Sequence, residues 1–302
     1  MINIEKARRN DRAHKALTGL SVEEFDELLL KFKQSYNHVQ KKINRNKKRQ
    51  RKTGAGRKHT LEELLSKQFY ILFYMKCYPT YDIAAVLYEV DKSQTNRWVG
   101  ELLPVLEFAL GKTLSLPQRK IRSLKEFFEL FPEVKEIIVD GTERPIQRPK
   151  NKEKQKGNYS GKKKRHTNKN IIIVTKKKRV LYVSPTEQGK EHDYTIFKKN
   201  KLHKKIPEHI KAWFDLGFKG IEKESDLNVR IPIRKPRTRE LTKTQKTRNK
   251  AISRVRVKVE NAIAGIKRFR CITDVCRTKI EEWKDKFMLL SAGLWNYHLQ
   301  MI

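Results

Sequence analysis

Two aspartates in this sequence come at the ends of short apolar runs. Residues 137–139 are all aliphatic and lead directly into Asp140, and residues 212–214 lead into Asp215. The unbroken run 137–139 is typical of a strand covered on both faces, and Gly141 is expected to end it. A carboxylate where such a strand leaves the core is costly unless it is paired, and a divalent metal is a suitable partner. An Asp-Gly pair also starts turns, so both interpretations stand at this point.

A third acid lies on a predicted helix over 247–270. Arg256, Glu260 and Lys267 are four and seven residues apart on this helix, so they share one face. Their plainest interpretation is charge on a solvated face. Two strand-end aspartates and a helical glutamate could instead converge on a site for two Mg²⁺ ions, as phosphodiester cleavage requires. Spacing alone does not separate Asp140, Asp215 and Glu260 from four other acids: Glu143, Asp193, Glu222 and Asp226.

The elements around these acids predict a mixed α/β sheet. Strands are expected over 137–139, 171–174, 180–183, 212–215 and 229–233, and helices over 191–205, 247–270 and 281–299. Pro232 limits its strand to an edge or an end of the sheet, because proline lacks a ladder donor. A very basic arm, 148–169, separates the first strand from the second.

The N-terminal half is predicted to be helical. A helix is expected over 17–36 with a Ser21–Glu24 capping box, and another begins at Thr60 and presents an apolar face. A short helix over 81–88, with Ile83, Ala84, Val86 and Leu87 inside, precedes a tight turn and a third helix. Asp91 and Gln94 are expected to cap that third helix, and Trp98 is expected to be in the core.

This arrangement is typical of a helix-turn-helix. Gln94, Asn96 and Arg97 lie near the start of the third helix and are predicted to face a DNA major groove. Two packed helices with no DNA role would show the same apolar pattern.

Charge favours a polyanionic partner. The chain has 70 Lys and Arg against 34 Asp and Glu, a net charge of +36. Nucleic acid is therefore the expected partner, and the tract 41–58, with ten Lys or Arg and no acid, is predicted to follow a DNA backbone. No run approaches the roughly 20 apolar residues of a membrane span. With no secretory signal, a cytoplasmic, nucleoid-associated protein is expected.

Five short motifs occur in a fixed order. They are Asp140-Gly-Thr-Glu143, Tyr159-Ser-Gly-Lys162, Gly189-Lys-Glu-His192-Asp193, Asp215-Leu-Gly-Phe-Lys-Gly220 and Arg256-Val-Lys-Val-Glu260 continuing to Lys267. In this order they resemble DDE transposases, in particular bacterial transposases of the insertion sequence 5 family, which are related to the Harbinger group. The resemblance covers 17–110 and 134–298. Related sequences often carry Tyr three residues before the Arg, where this chain has Ser253.

The resemblance implies a ribonuclease H-like fold with Asp140, Asp215 and Glu260 as catalytic metal ligands. The implied cofactor is Mg²⁺, with Mn²⁺ as a substitute, and two ions. Arg256 and Lys267 would contact DNA phosphate or brace the glutamate. Further expected site residues are Lys162 as a DNA contact and His192 and Asp193 as supporting residues or a helix start.

The expected function is cleavage at the terminal inverted repeats of a transposon and transfer of the freed end into target DNA by a homodimer or larger assembly. The expected domains are an N-terminal helix and basic linker (1–59), the helix-turn-helix (60–110), a connector (111–133) and the nuclease (134–302). The competing hypotheses are a nuclease-silent DNA-binding protein or repressor, an RNA- or ribosome-associated protein, and a sequence-independent nuclease.

Overall fold

A computed structural model describes residues 2–45 and 60–302. Most of the basic tract predicted over 41–58 therefore lies outside the described residues. The chain divides into two compact units. The first comprises residues up to 116 together with 268–274 and 296–302, and the second comprises 117–267 and 275–295. Residues 117–133, expected to be a connector, thus belong to the second unit, and Ile121, Phe127 and Phe131 are part of its core.

The helices of the described residues are α1 (Ile4–Arg8), α2 (Asp11–Thr18), α3 (Val22–Arg45), α4 (Leu64–Cys77), α5 (Tyr81–Tyr88), α6 (Lys92–Lys112), α7 (Leu124–Leu130), α8 (Lys152–Asn158), α9 (Asp193–Lys199), α10 (Ile221–Glu224), α11 (Lys243–Lys267), α12 (Arg270–Thr273) and α13 (Glu281–Met301). The strands are β1 (Glu136–Pro145), β2 (Tyr159–Ser160), β3 (Arg165–Thr175), β4 (Val180–Val183), β5 (Glu187–Gln188), β6 (Lys211–Trp213) and β7 (Asn228–Arg230). Within these residues no helix is both long and apolar enough to cross a membrane.

Local capping signals place several helix ends in the first unit. The predicted Ser21–Glu24 box is confirmed: the Ser21 amide donates to Glu24 Oε2 at 2.6 Å, and the Glu24 amide donates to Ser21 Oγ at 3.1 Å. The helix expected over 17–36 is, however, two helices, because Gly19 adopts a left-handed φ of 82° and ends α2. Asp91 caps α6 by accepting from the Ser93 amide at 2.7 Å.

Two predictions about helices in this unit are wrong: the start of the helix expected from Thr60, and the burial of the apolar residues in the helix expected over 81–88. Helix α4 begins at Leu64 rather than Thr60, and residues 67–75 are buried all round, so it has no solvated face. On α5 only Ala84 of the four apolar residues is buried; Ile83, Val86 and Leu87 are exposed. The burial of a residue in each helix depends on the elements packed around that helix. The helical spacing of apolar residues does not specify those elements.

The second unit is built on a seven-stranded mixed sheet, in agreement with the predicted α/β class. The strand order is β2-β3-β1-β6-β7, with β4 and β5 also paired to β3. Strand β1 is antiparallel to β3 and parallel to β6, and β6 is parallel to β7. Strand β1 is therefore central, as predicted, and β7 is the edge strand next to Pro232.

Three element ends in this unit differ from the predictions. Gly141 does not end β1, because pairing with β3 continues from Ile137–Thr175 to Pro145–Thr167. For the same reason β3 begins at Arg165, six residues before the predicted start. Helix α9 ends at Lys199 rather than near 205, since Lys201 has a left-handed φ of 54°.

The β1–β3 register assigns alternate residues to two faces of the sheet. Directly paired residues share a face. One face, here called the Asp140 face, carries these pairs: Asp140–Ile172, Thr142–Asn170 and Arg144–Asn168. The opposite face, here called the Glu143 face, carries Gly141–Ile171 and Glu143–Lys169.

Helix α11 packs closely against α13 because it has a glycine at the contact. A Cβ atom added to Gly265 would lie 2.2 Å from Cε3 of the Trp295 ring. The ring is rigid, and its Nε1 donates to the Lys178 carbonyl at 2.9 Å, which fixes its position.

We expect Gly265→Ala to destabilise the second unit. The higher helix propensity of alanine favours the variant by about 1 kcal/mol, but overpacking against a fixed ring costs about 1–3 kcal/mol. The net loss should appear as a lower midpoint in denaturant unfolding. Ser253→Ala, at an exposed position of the same helix, is the matched control and should change the midpoint little. Equal midpoints for both variants would contradict the close contact.

Candidate active site

Asp140 lies in β1 just beyond the reach of its parallel neighbour. The β1–β6 pairing ends at Ile138–Trp213, so from Asp140 onward β1 is paired only to β3. The resulting gap in the sheet leaves the Asp140 side chain 16% exposed. Its Oδ1 accepts from the Gly141 amide at 2.8 Å, and its Oδ2 lies 3.3 Å from Arg256 Nη2.

Asp215 reaches the same place from the next strand. It comes two residues after β6 ends and precedes a 3₁₀ turn, Leu216–Phe218. Because β1 and β6 are adjacent and parallel, the chain leaving β6 passes beside Asp140. Asp215 Oδ1 lies 3.2 Å from Arg256 Nη1.

Glu260 is one turn after Arg256 on α11. Its Oε1 lies 3.9 Å from Arg256 Nη2, and its side chain is 57% exposed. The Arg256 guanidinium, 15% exposed, thus has a carboxylate from β1, one from the loop after β6 and one from its own helix within 4 Å. The structure therefore brings together Asp140, Asp215 and Glu260 around one cation.

Burial dominates the electrostatics of Asp140. Loss of water raises the pKa of this carboxyl above its usual value, and the nearby Asp215 and Asp193 charges raise it further. The Arg256 guanidinium and the Gly141 amide act in the opposite direction but do not cancel the effect of burial. Asp140 is accordingly a carboxylate whose charge is incompletely compensated.

The three carboxylates have the donor chemistry of a Mg²⁺ site, since Mg²⁺ binds carboxylate oxygens and retains water. In their present positions they surround the guanidinium. In the described part of the chain no three His, Cys, Asp or Glu side chains are close enough together to hold a metal ion. The residue types therefore fit a cation site, provided that Arg256 moves out of the space between them.

The Asp193 carboxylate lies on the Glu143 face, against Gly141 and close to Gly217. A Cβ atom added to Gly141 would lie 2.6 Å from the Asp193 carboxylate, and one added to Gly217 would lie 3.6 Å from it. The carboxylate therefore packs beneath the residues that follow both Asp140 and Asp215. This contact explains the absence of a side chain at position 141.

Lys169 holds Asp193 in place, and the sequence analysis missed it. Lys169 Nζ lies 3.1 Å from Asp193 Oδ1 and 3.7 Å from Glu143 Oε1, and it donates to the Glu191 carbonyl at 2.7 Å. The signal that could have revealed it is a lysine two residues before the apolar run 171–174. A lysine at that position in a central strand points inward and needs an acidic partner.

The other residues considered in the sequence analysis are not among the carboxylates that surround Arg256. His192 is exposed and immediately precedes α9 without a side-chain capping bond. Lys162 is exposed in the turn between β2 and β3. Lys267, the last residue of α11, is half-buried; burial and the nearby Lys163 lower its pKa, whereas Glu143 and Asp140 raise it. Glu222 and Asp226 are exposed and make no ion pair with Arg256.

The predicted DNA-reading residues lie at the start of α6 in the first unit. Asn96 and Arg97 are exposed, Gln94 is half-buried, and Trp98 is buried against Tyr70 and Tyr88, as expected. Arg97 donates to the Ser93 side chain and carbonyl at 3.0 and 3.3 Å, so it lies along the helix surface. Asn96 is therefore the most freely presented of the three predicted residues.

The raised pKa of Asp140 predicts a stability change with pH. A folded-state pKa above the unfolded value means that the folded protein binds this proton more tightly. The contribution of Asp140 to stability therefore falls as the pH rises from the unfolded-state pKa to the folded-state pKa. Asp140→Asn, which carries no charge, should therefore have a higher melting temperature than the wild type at pH 7. The difference should shrink below about pH 4, the ordinary pKa of aspartate.

Thermal unfolding from pH 3.5 to 7.5 measures this effect. Asp226→Asn removes an exposed carboxylate from the same unit and is the control, with no such trend expected. A melting temperature for Asp140→Asn below that of the wild type at pH 7 would mean that the Arg256 ion pair outweighs burial.

Comparison with known proteins adds an independent result. Residues 139–296 match the family described as DDE superfamily endonuclease, and residues 59–112 match the helix-turn-helix of DDE superfamily endonuclease. The chain is 27% identical over 301 residues to the "Probable transposase for insertion sequence element IS702" of Microchaete diplosiphon, with 99% of each chain covered. No solved structure matches the chain. The first match spans more than half of the sequence, and the chain therefore belongs to the DDE superfamily endonuclease family, with a helix-turn-helix domain preceding the nuclease domain.

Proposed function

We propose that this protein is an insertion-sequence transposase that cleaves DNA at the terminal inverted repeats of its element and joins the freed end to target DNA. The observation that carries the proposal is the convergence of Asp140, Asp215 and Glu260, from three separate elements, on the Arg256 guanidinium. The family match and the similarity to a probable insertion-sequence transposase support the same reaction class.

The three carboxylates are the proposed ligands of Mg²⁺, or of Mn²⁺ in its place, because carboxylate oxygens are the ligands that these ions prefer. Two such ions, when bound, would activate the attacking oxygen and stabilise the leaving oxygen. The task of this chain is to hold the three acids at one point, which β1, the loop after β6 and α11 do. Lys169 and Asp193 act as positioning residues by fixing the backbone beneath Gly141.

Arg256 is proposed to exchange partners when DNA binds. A guanidinium binds a phosphate with the same two-pronged geometry that it uses for carboxylates. Released from the acids, Arg256 would contact the phosphate next to the cleaved bond. Lys267 and Lys162 are the further proposed DNA contacts of this unit.

The proposed chemistry has two steps. In the first, a water oxygen bonds to phosphorus and loses a proton, while the bond from phosphorus to the 3′ oxygen of the element end breaks and that oxygen takes up a proton. In the second, that 3′-hydroxyl attacks a target phosphodiester, and a new P–O bond forms as a target 3′-hydroxyl is released. Neither step requires a serine or tyrosine nucleophile on the protein.

Further proposals rest on the resemblance. A ribonuclease H-like architecture accords with the mixed sheet in which β1 is central, and the insertion sequence 5 and Harbinger groups are the proposed relatives. The proposed functional regions are an N-terminal helix and basic linker (1–59), the helix-turn-helix (60–110), a connector (111–133), of which residues 117–133 pack within the second unit, and the nuclease (134–302). Because transposition joins two ends, a homodimer or larger assembly is proposed for the DNA complex.

Cleavage of a labelled end duplex tests the proposal. Wild-type protein with Mg²⁺ should nick a duplex carrying the element's own terminal repeat at the repeat end and leave a scrambled duplex intact. Asp140→Asn and Glu260→Gln should each lose at least about 10²-fold in rate, because each replaces an anionic ligand of the proposed Mg²⁺ ions with a neutral amide. Asp226→Asn should cleave like the wild type.

Each competing hypothesis predicts a different result from that assay. Tight end binding without nicking in Mg²⁺ or Mn²⁺ would support a nuclease-silent DNA-binding protein. Equal cutting of end and scrambled duplexes would support a sequence-independent nuclease. Preference for RNA over the end duplex would support an RNA-associated protein.

The helix-turn-helix assignment has its own test. Asn96→Ala should reduce the preference for end DNA over scrambled DNA by about 5- to 150-fold, since a bidentate amide–base pair contributes about 1–3 kcal/mol of discrimination. Binding to scrambled DNA should hardly change. Asn37→Ala removes an exposed amide from α3 and is the matched control. A uniform loss of affinity on both duplexes would assign Asn96 to backbone contact instead.

A further inference from the structure

The hairpin formed by β2 and β3 carries a run of exposed cations. Residues 162–165 at its tip are three lysines and an arginine, and all four are exposed. The sequence 154–186 contains no Asp or Glu, so neighbouring residues in the sequence do not neutralise this charge. A surface of this kind suits a polyanion. Charge alone does not define a site, but the hairpin also carries an exposed aromatic side chain.

The ring of Tyr159 is exposed and has no stacked partner among the described residues. Tyr159 is 43% exposed. It pairs across the hairpin with His166, and the two ring centroids are 5.7 Å apart with the planes at 71°. Phe108 and Phe128 are also exposed, but each already stacks on a histidine ring. A planar partner can therefore still stack on Tyr159, as a nucleic-acid base does on an open aromatic ring.

The backbone of the hairpin holds this ring in a defined place. In the turn, the Lys163 amide donates to the buried Ser160 Oγ at 3.2 Å, and Lys164 has a left-handed φ of 53°. At the base, the Ile146 amide donates to the His166 carbonyl at 3.0 Å. Less freedom is therefore lost when a partner binds than if the ring were on an unpaired loop.

The hairpin lies on the same face of the sheet as Asp140. Residues an even number apart on a strand share a face, and so do directly paired residues. His166 is six residues along β3 from the partner of Asp140 and pairs with Tyr159, so the three share the Asp140 face. Their separation along the strand is roughly 20 Å, or about six nucleotides of a DNA strand. Burial and the nearby Lys163 lower the pKa of Lys267, and Asp140 raises it, so the tip and Asp140 both lie near the end of α11.

We propose that the Tyr159 ring stacks on one unpaired base of DNA bound at the nuclease unit, while residues 162–165 contact the phosphates beside it. Tyr159 would then be a positioning residue for the strand that enters the catalytic centre. The inference rests on the proposed function only in taking DNA as the ligand. Every base has an aromatic face, so the contact tolerates any sequence. Unstacking a base from a duplex is costly, so the site favours a base that is already unpaired.

Binding of duplexes that hold one unpaired base tests the stacking contact. Each duplex carries the element's terminal repeat with an abasic site opposite a single base, and that position is moved stepwise from the repeat end. Binding to the full chain is measured without divalent metal, so that no cleavage intervenes. At the contacted position, Tyr159→Ala should bind about 5- to 150-fold more weakly than the wild type, the range for loss of one base–aromatic stack. Tyr159→Phe, which keeps the ring, should bind like the wild type.

Two further variants separate stacking from other effects. Tyr159→Leu keeps an apolar side chain without a ring and should lose affinity as Tyr159→Ala does. Phe128→Ala removes another exposed ring of the same unit and should bind every duplex like the wild type. A loss of equal size for Tyr159→Ala at every position would mean contact with the backbone only and would overturn the proposal. Retention of full affinity by Tyr159→Leu would overturn it as well.

The same series on a scrambled duplex distinguishes this proposal from the proposed function. Because stacking tolerates any sequence, the loss in Tyr159→Ala at an unpaired base should persist there. Persistence without any preference for the terminal repeat would leave the stacking contact in place and count against the transposase. Preference for the terminal repeat without any effect of Tyr159→Ala would do the reverse.

Photocrosslinking locates the contact directly. With 5-iododeoxyuridine as the unpaired base, long-wavelength irradiation of the wild-type complex should join the base to the peptide that contains Tyr159, as read by mass spectrometry. The yield should fall to background with Tyr159→Leu. Crosslinks to other peptides alone would overturn the assignment of the stacked base to this hairpin.

Discussion

The nuclease unit depends on one guanidinium facing three carboxylates. Without Arg256, the ionised side chains of Asp140, Asp215 and Glu260 would repel one another in a partly buried space. Like charges repel more strongly in such a space than in water because its effective dielectric constant is lower. The cation makes this arrangement tolerable, and it requires a particular architecture: β6 must run parallel beside β1, and α11 must cross the gap where β6 ends.

Strand β1 serves the site on both of its faces. Asp140 faces Arg256 on one side, and the missing side chain at Gly141 makes room for the Asp193 carboxylate on the other. Two residues on, Glu143 shares Lys169 with Asp193. Because side chains alternate along a strand, Asp140 lies on one face of the sheet and Gly141 and Glu143 lie on the other. A shift of the pairing register by one residue would exchange the residues on the two faces.

Sequence reasoning succeeded where a few neighbouring residues decide the structure. The Ser21–Glu24 capping box, the central strand at 137–139 and the edge strand near Pro232 follow from local chemistry. It failed where distant partners decide. Strand β1 passes through Gly141 because β3 supplies a partner for each residue to Pro145. Helix α4 is buried all round because other helices surround it, and the role of Lys169 follows from Asp193, 24 residues further along the chain. The choice of Asp140, Asp215 and Glu260 among the candidate acids followed from the resemblance to DDE transposases and not from their spacing.

The charge balance of the site connects the proposed binding of cations to the binding of DNA. Arg256 contributes one positive charge against three negative ones. Burial raises the pKa of Asp140, the nearby Asp215 and Asp193 raise it further, and Arg256 does not cancel these effects. Any cation that binds these acids has to displace the guanidinium, which is then left mostly buried and without an anion. A DNA phosphate is the anion that such a site would meet, and it matches the guanidinium in geometry as well as in charge. In the proposed function, the two exchanges therefore favour each other: carboxylates that bind cations release Arg256 for phosphate, and a phosphate that binds Arg256 leaves the carboxylates in need of cations.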